Sequence, residues 1–197
     1  MGHYFENNPP ETTKEYTVTY TLQGRSFSLI ASSGIFAKKD LDVGSRLLIN
    51  VLLQDTLSGT CLDLGCGYGP VGLTLASLNP KLTLTLADVN ERAVIDARHN
   101  AQRLGLTNLQ ILTSDGFQEL TQNFDVIAFN PPIRAGKKTI YRLYQEAKQH
   151  LNPNGNLYIV IRKDKGAESH ETYLLTLFSK VLRRDRDKGY LVLIAKP

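Results

Sequence analysis

Residues 60–73 read TCLDLGCGYGPVGL, and three structural instructions follow one another within them. Thr60 to Leu64 is a short apolar run of strand length. Gly65, Gly67 and Gly69 come next at alternate positions, where the missing Cβ lets the backbone turn sharply and approach a ligand closely. Pro70 then stands where a helix tolerates proline in its first turn, and Val71 to Leu78 continues that helix.

The same alternation extends downstream. Lys81 to Asp88 alternates Leu and Thr as a strand, and Asn90 to Leu104 sets Ala93, Val94, Ala97, Ala101 and Leu104 on one helical face with Gly105 as its stop. Leu109 to Thr113 is a strand, Gly116 to Leu120 a short helix, and Phe124 to Phe129 a strand ending in Asn130-Pro131-Pro132. Ile140, Leu143, Tyr144, Ala147 and Leu151 trace a helix closed by the turn Asn152 to Gly155, before the strand Leu157 to Ile161. Glu171 to Ser179 reads as a helix, followed by strands at Val181 to Arg186 and Tyr190 to Ala195. The link Asp187-Lys188-Gly189 is too short for a parallel crossover, so that last pair is antiparallel. Upstream, Tyr16, Val18, Tyr20 and Leu22 alternate with polar residues, Gln23-Gly24 supplies a turn, and Phe27 and Leu29 form the return arm of a β-hairpin. Ser45 to Leu53 then has helical spacing. The class is α/β: a seven-stranded, mostly parallel sheet covered on both faces, with an antiparallel last strand, an N-terminal β-hairpin, and function on the post-strand loops.

Composition bounds the reading. The 197 residues are 42% hydrophobic and 21% charged, enough for one sizeable core, and point to a single domain over 1–197, with 1–35 as the hairpin extension and 36–197 as the core. No apolar run approaches the roughly 20 residues of a membrane span. Met1 to Thr13 is polar, without the apolar stretch of a secretion signal, so a cytoplasmic location is expected. Cys61 and Cys66 lack metal-ligand spacing and read as reduced and non-ligating, and His3, His99, His150 and His170 lie too far apart to form a metal motif, so no metal is expected. A net charge of +4 mildly favours a polyanionic partner.

The chemistry is concentrated after the strands. Asp88 ends the second core strand, where a carboxylate accepts both hydroxyls of a ribose, and with the glycine loop it indicates a nucleoside cofactor. Gly67 to Gly72 also satisfies the dinucleotide pattern GxGxxG, but Asp63 would set a carboxylate beside two phosphates. An ammonium-bearing, phosphate-free cofactor such as S-adenosylmethionine suits that acid better. Asp115 either accepts from an adenine amine or caps the short helix that follows, and both readings stand. Asn130-Pro131-Pro132-Ile133 offers a side-chain oxygen and stiffened backbone carbonyls as a fixed acceptor pair for an NH2 group, although a bare Asn-Pro-Pro is also a common strand-ending turn. Arg134, Lys137 and Lys138 follow the fourth core strand, and Arg162, Lys163 and Lys165 the fifth, so adjacent strands deliver both clusters to one edge, with Lys38 and Lys39 available from upstream. The bland alternative is that these are solvated loop cations.

LDLGCGYGPVGL, the acid of ADVN, and FNPPIRAGKK together resemble the class I S-adenosylmethionine-dependent methyltransferases, among them the small-domain group. The resemblance continues through GIFAKKDLDVGSRLL and VIRKDKGAESH and is closest to the RsmC-like proteins, similar to guanine-N2 methyltransferases of small-subunit ribosomal RNA, in a short form. It implies a Rossmann-like fold, with Asp63, Gly65, Gly67 and Gly69 on the methionine part of S-adenosylmethionine, Asp88 on its ribose and Asp115 on its adenine. Asn130 and the Pro131 backbone would grip a target amine, with Pro132 stiffening the turn. Many members carry Phe or Tyr where this chain has Ile133, so either Phe36 or another aromatic stacks on the base in its place, or the base is held differently. The implied partner is ribosomal RNA or the small ribosomal subunit, with no membrane. Rival readings are a protein-glutamine or DNA-adenine N-methyltransferase, a nicotinamide oxidoreductase, and a non-catalytic RNA-binding protein.

Overall fold

The computed structural model describes residues 14–32 and 40–197. The hairpin comes first, β1 (Glu15–Leu22) and β2 (Arg25–Ser32), followed by α1 (Val43–Gln54). The core then runs β3 (Gly59–Leu64), α2 (Pro70–Leu78), β4 (Leu82–Asp88), α3 (Glu91–Arg103), β5 (Leu109–Thr113), β6 (Phe124–Phe129), α4 (Gly136–Gln149), β7 (Leu151–Arg162), α5 (Ala167–Leu177), β8 (Lys180–Asp187) and β9 (Tyr190–Lys196). Seven strands form one sheet in the order β5-β4-β3-β6-β7-β9-β8. β3 to β7 are mutually parallel, whereas β9 inserts between β7 and β8 and is antiparallel to both.

The two-residue period of the strands sorts their side chains into two cores. Cys61, Leu84, Leu86, Val126, Ala128, Tyr158 and Val160 pack with α1, α2, α3 and the hairpin. Their alternating neighbours Leu62, Leu64, Ile127, Phe129, Leu157, Ile159 and Ile161 pack with α4 and α5. Helix α2 lies close on β4 because Gly72 has no side chain; a Cβ there would sit 2.7 Å from Leu86 Cγ. The outermost strand, β8, has few buried side chains and carries Arg183, Arg184, Asp185, Arg186 and Asp187.

The hairpin is tied to the core by side chains that complete its edge. Gln23 and Gly24 both have positive φ, the geometry of a tight two-residue hairpin turn. Along β2, Asn100 of α3 takes the place of a neighbouring strand: its Oδ1 accepts from the Ile30 amide at 2.8 Å, and its Nδ2 donates to the Ile30 carbonyl at 2.7 Å and the Tyr68 carbonyl at 3.0 Å. One helical turn earlier, Asp96 accepts from the Ser32 amide at 2.7 Å and the Ser32 hydroxyl at 2.9 Å. Tyr20 reaches α2, with its hydroxyl 2.8 Å from Thr74 Oγ1.

Four local expectations are corrected. Gly116 to Leu120 is a run of turns and no helix, because Gly116 has a φ of +60° and Ser114 Oγ bridges Glu119 N–H and the Gly116 carbonyl. Helix α4 starts at Gly136, before Ile140, so Lys137 and Lys138 lie on its first turn instead of a loop. Helix α5 spans Ala167–Leu177, shifted from 171–179; in both helices the first turn is polar and carries no apolar period. The turn at 152–155 is a bulge within β7, since Phe124 pairs with Leu151 and Val126 already with Asn156.

Replacing Asn100 with Leu should cost about 2–4 kcal/mol, because it strands both polar groups of Ile30 and the Tyr68 carbonyl. The midpoint of urea unfolding checks this, and a loss below about 0.5 kcal/mol would contradict the docking role.

Candidate functional site

Register brings the sequence-flagged residues to one level of the sheet. Leu64 pairs with Ala87 on one side and Phe129 on the other, so the next residue of each strand, Gly65, Asp88 and Asn130, stand in a row across β3, β4 and β6. Phe129 pairs with Ile159, which puts Val160 at that level on β7 and Arg162 two residues above it. Ser114 and Asp115 follow β5 at the other end of the row.

The glycine loop turns over these strand ends. Gly65, Gly67 and Gly69 have φ of +67°, +56° and +89°, conformations that a side chain disfavours, and a Cβ on Gly67 would meet nothing within 4 Å, so the backbone borders open space. The Gly65 and Cys66 amides both donate to the Ala87 carbonyl, at 2.8 and 3.0 Å. Gly69, the N-cap of α2, has no side chain to offer the helix. Asp63 supplies the missing acceptor, since its carboxylate, 3% exposed, takes a hydrogen bond from the Gly72 amide in the first turn of α2 at 2.7 Å. Burial pushes the Asp63 carboxyl up to about 7, and the nearby Asp88 charge adds to the rise while the Gly72 bond opposes it. Asp63 therefore caps the helix under the loop as well as lending it negative potential.

Asp88 accepts from Gly67 N–H and Asn90 N–H, both at 2.8 Å, so each oxygen is already anchored to backbone and keeps a further lone pair for a ligand. Burial raises its pKa, and these amide bonds work against that rise. Asp115 caps no helix. Arg142 of α4 reaches its Oδ1 at 2.6 Å, an ion pair that is half exposed and contributes little to stability. The Cys61 and Cys66 thiols are buried, which drives both pKa values upward and makes thiolate chemistry unfavourable.

Asn130 is held from an element the sequence did not connect with it. Its Nδ2 donates to Ser45 Oγ at 3.1 Å, and Ser45 is buried near the start of α1, where Asp42 Oδ1 accepts from its amide at 2.9 Å. With the nitrogen engaged, Oδ1 is the free acceptor. Ser45 was visible only as the first residue of a helical run, and no pattern marked it as a partner of a residue 85 positions away. A cavity of about 220 Å³ opens beside Asn130 and Pro131, and Lys137, Arg162, Lys165, His170 and Tyr190 contribute to its wall. Lys137, Arg162 and Lys165 thus converge, whereas Arg134, Lys138 and Lys163 do not line it. Phe36, Lys38 and Lys39 lie outside the described residues, and for Ile133 only the backbone is described, as part of the 3-10 turn Ile133–Ala135.

This loop fits a nucleoside cofactor with a cationic end: there is open space over Gly67, two carboxylates stand near it, and no basic side chain lies between Gly65 and Gly69. The glycine turn, Asp88 and Asn130-Pro131-Pro132 stand in one row at the carboxyl ends of a Rossmann-like parallel sheet, where such folds bind their ligands. The chain belongs to the methyltransferase small domain family, whose model matches residues 26–194, and the cofactor of that family is S-adenosylmethionine. It is 41% identical over 196 residues to the protein YbxB of Bacillus subtilis, covering 98% of each chain. It is also 36% identical over 159 residues to ribosomal RNA small subunit methyltransferase C of Salmonella paratyphi B, covering 79% of this chain. The chain matches only 45% of that relative's length. Among solved structures, the T. thermophilus 16S rRNA N2 G1207 methyltransferase in complex with AdoMet and guanosine superposes with a TM-score of 0.84 at 24% identity, over 95% of this chain and 52% of that one. A ribosomal protein L11 methylase from Lactobacillus delbrueckii gives 0.69 at 17% identity, over 83% of this chain and 82% of that one. Among the described residues no helix is long and apolar enough to cross a membrane, and no three His, Cys, Asp or Glu side chains are grouped to hold a metal.

Two outcomes test this geometry. Asp88→Ala should weaken S-adenosylmethionine binding tenfold or more by calorimetry, since charged hydrogen bonds contribute roughly 1.5–3 kcal/mol each; unchanged affinity in a folded variant would place the ribose elsewhere. Because the Asp63 carboxyl is raised from 3.8 to about 7, its contribution to stability is complete below pH 3.8 and is lost as pH rises through about 7. Without ligand, Asp63→Asn should therefore gain stability relative to wild type between pH 4 and 7.5, as followed by chemical denaturation; a constant difference would show that the group does not titrate there.

Proposed function

We propose that the protein transfers the methyl group of S-adenosylmethionine to an exocyclic amine of a base in RNA, with guanine N2 of small-subunit ribosomal RNA as the target. One observation carries this reading: the Asn130 amide, its nitrogen engaged by Ser45, presents a free oxygen at the level of the glycine loop. Asp63 and the glycines serve the methionine part of the cofactor, Asp88 the ribose and Asp115 the adenine amine. An aromatic amine is a poor nucleophile because its lone pair is delocalised into the ring. Asn130 Oδ1 and the Pro131 carbonyl would accept its two hydrogens, favouring a tetrahedral nitrogen and aiming the lone pair at the methyl carbon. Pro131 and Pro132 restrict the backbone that holds this acceptor pair. The cofactor supplies a methyl group already activated on a sulfonium. As the N–C bond forms, the bond between the methyl carbon and sulfur breaks and its electron pair returns to sulfur as a neutral thioether; the nitrogen then carries a positive charge, and one of its hydrogens passes to water as a proton. No side chain need be alkylated.

RNA is favoured over a protein amide by two observations. The curated relatives at 36% identity are named for ribosomal RNA, and Lys137, Arg162 and Lys165 converge beside Asn130 on the edge where substrate must enter. Arg134, Lys138 and Lys163 extend the proposed substrate surface. The test is methyl transfer from labelled cofactor to free ribosomal RNA, assembled subunits and total protein, followed by nucleoside analysis. Label should appear as N2-methylguanosine; label in protein would overturn the RNA reading. In the same assay Asn130→Ala should cut single-turnover methylation at least a hundredfold while leaving cofactor affinity within a factor of two, because its contact strengthens as the amine rehybridises. Near-wild-type turnover would reduce the motif to a turn.

A further inference from the structure

The cavity beside Asn130 has apolar walls from Pro131, Ile140, Val160 and Ile161, and its polar groups other than Asn130 and Tyr190 are donors. Opposite Asn130 and Pro131 stand Lys137 from the first turn of α4, Arg162 from the end of β7, Lys165 from the turn after it and His170 from α5. Lysine and arginine only donate. The histidine does too, for a reason set by its neighbour. The Tyr144 phenol is fully buried, burial pushes its pKa well up, and so it keeps its proton; its hydroxyl lies 3.0 Å from His170 Nδ1, the sole partner seen for it among the described residues. With Nδ1 accepting, the buried phenol hydroxyl is satisfied and the neutral ring carries its proton on Nε2, whereas the other tautomer would leave that hydroxyl without an acceptor among the described residues. Burial and the Lys137 charge hold the ring below its usual pKa, so at neutral pH it is an uncharged donor.

The charges are unequal. Arg162 forms a two-point ion pair with Asp164, at 2.7 and 3.0 Å, and lies over the Tyr190 ring, so most of its charge is already balanced. Lys137 and Lys165 form no ion pair among the described residues. A wall of donors with surplus positive charge, adjoining an acceptor for an amine, is complementary to a molecule that carries an amine at one point and an anion at another. Building on the proposed function, we propose that this cavity is a phosphate subsite in which Lys137, Lys165 and His170 hold a phosphate of the nucleotide whose base amine Asn130 engages. A glutamine side chain has no group that would use it.

The full chain, saturated with S-adenosylhomocysteine, is titrated with guanosine, guanosine 5′-monophosphate, guanosine 3′-monophosphate and inorganic phosphate, alongside Lys137→Ala/Lys165→Ala. Both lysines are exposed, so the variant should fold, and unchanged S-adenosylhomocysteine affinity verifies it. At least one monophosphate should bind tenfold or more tighter than guanosine, and the double variant should reduce that gain to about twofold or less. Equal affinities in wild type, or a gain that survives in the variant, would overturn the subsite. If no guanine compound binds while inorganic phosphate binds in a lysine-dependent way, the subsite stands and the guanine reading fails. If phosphate and both monophosphates all fail to bind, the subsite is wrong.

Discussion

A single buried hydrogen bond, from the Gly72 amide to the Asp63 carboxylate, joins the end of β3 to the first turn of α2 across the glycine loop. Without it, the loop would be a run of permissive residues whose ends are free to separate, and α2 would start at a glycine that cannot cap it. The acid is held where charge is costly, and its raised pKa measures that cost. Because strand and helix are joined there, the amides between them face one fixed direction. A cationic ligand end near this loop would stabilise the ionised carboxylate, so binding and loop rigidity reinforce each other.

The hairpin reinforces the same loop from outside. Asn100 bonds both Ile30 and Tyr68, so one carboxamide is shared by the N-terminal strands and by the residue between the second and third loop glycines. Tyr20 adds a contact to the α2 turn that Asp63 caps. The segment that sequence alone presents as an appendage is thus part of the support of the cofactor loop. On the other side of the row, Asn130 is set by Ser45 of α1, which places the proposed substrate acceptor under the control of a helix that precedes every core strand.

The parts of this arrangement written in local pattern were legible in the sequence. Leu and Thr alternation, the glycine spacing and the stop at Gly105 located β3, α2, β4 and α3, and the short link at Asp187-Lys188-Gly189 located the antiparallel pair. Patterns that depend on partners were not. The first turns of α4 and α5 carry no apolar period, so periodicity could not reveal them, and the Gly116 segment is held as successive turns by Ser114 Oγ, a contact no local pattern encodes. The position of Asp63 before the glycines points to a cofactor and carries no mark of its capping role, which depends on the Gly72 amide nine residues on. Ser45, Tyr144 and His170 take their meaning from contacts across 85 and 26 residues, which no spacing rule encodes.

β8 closes the sheet with charge. Five successive residues of this outer strand, Arg183 to Asp187, are arginine or aspartate, and Arg183 and Arg184 are drawn to Glu171 and Asp55 at 2.6 and 2.9 Å. A strand arriving from another molecule would have to dehydrate these side chains while offering them little in return, so this border resists annexation. Because β9 turns back inside β8, the strand it shields is an apolar one, Tyr190 to Ala195, that would otherwise be the exposed template. The chain thus hides its stickiest ribbon one strand inward, and growth of the sheet beyond this border is discouraged during folding as well as afterwards.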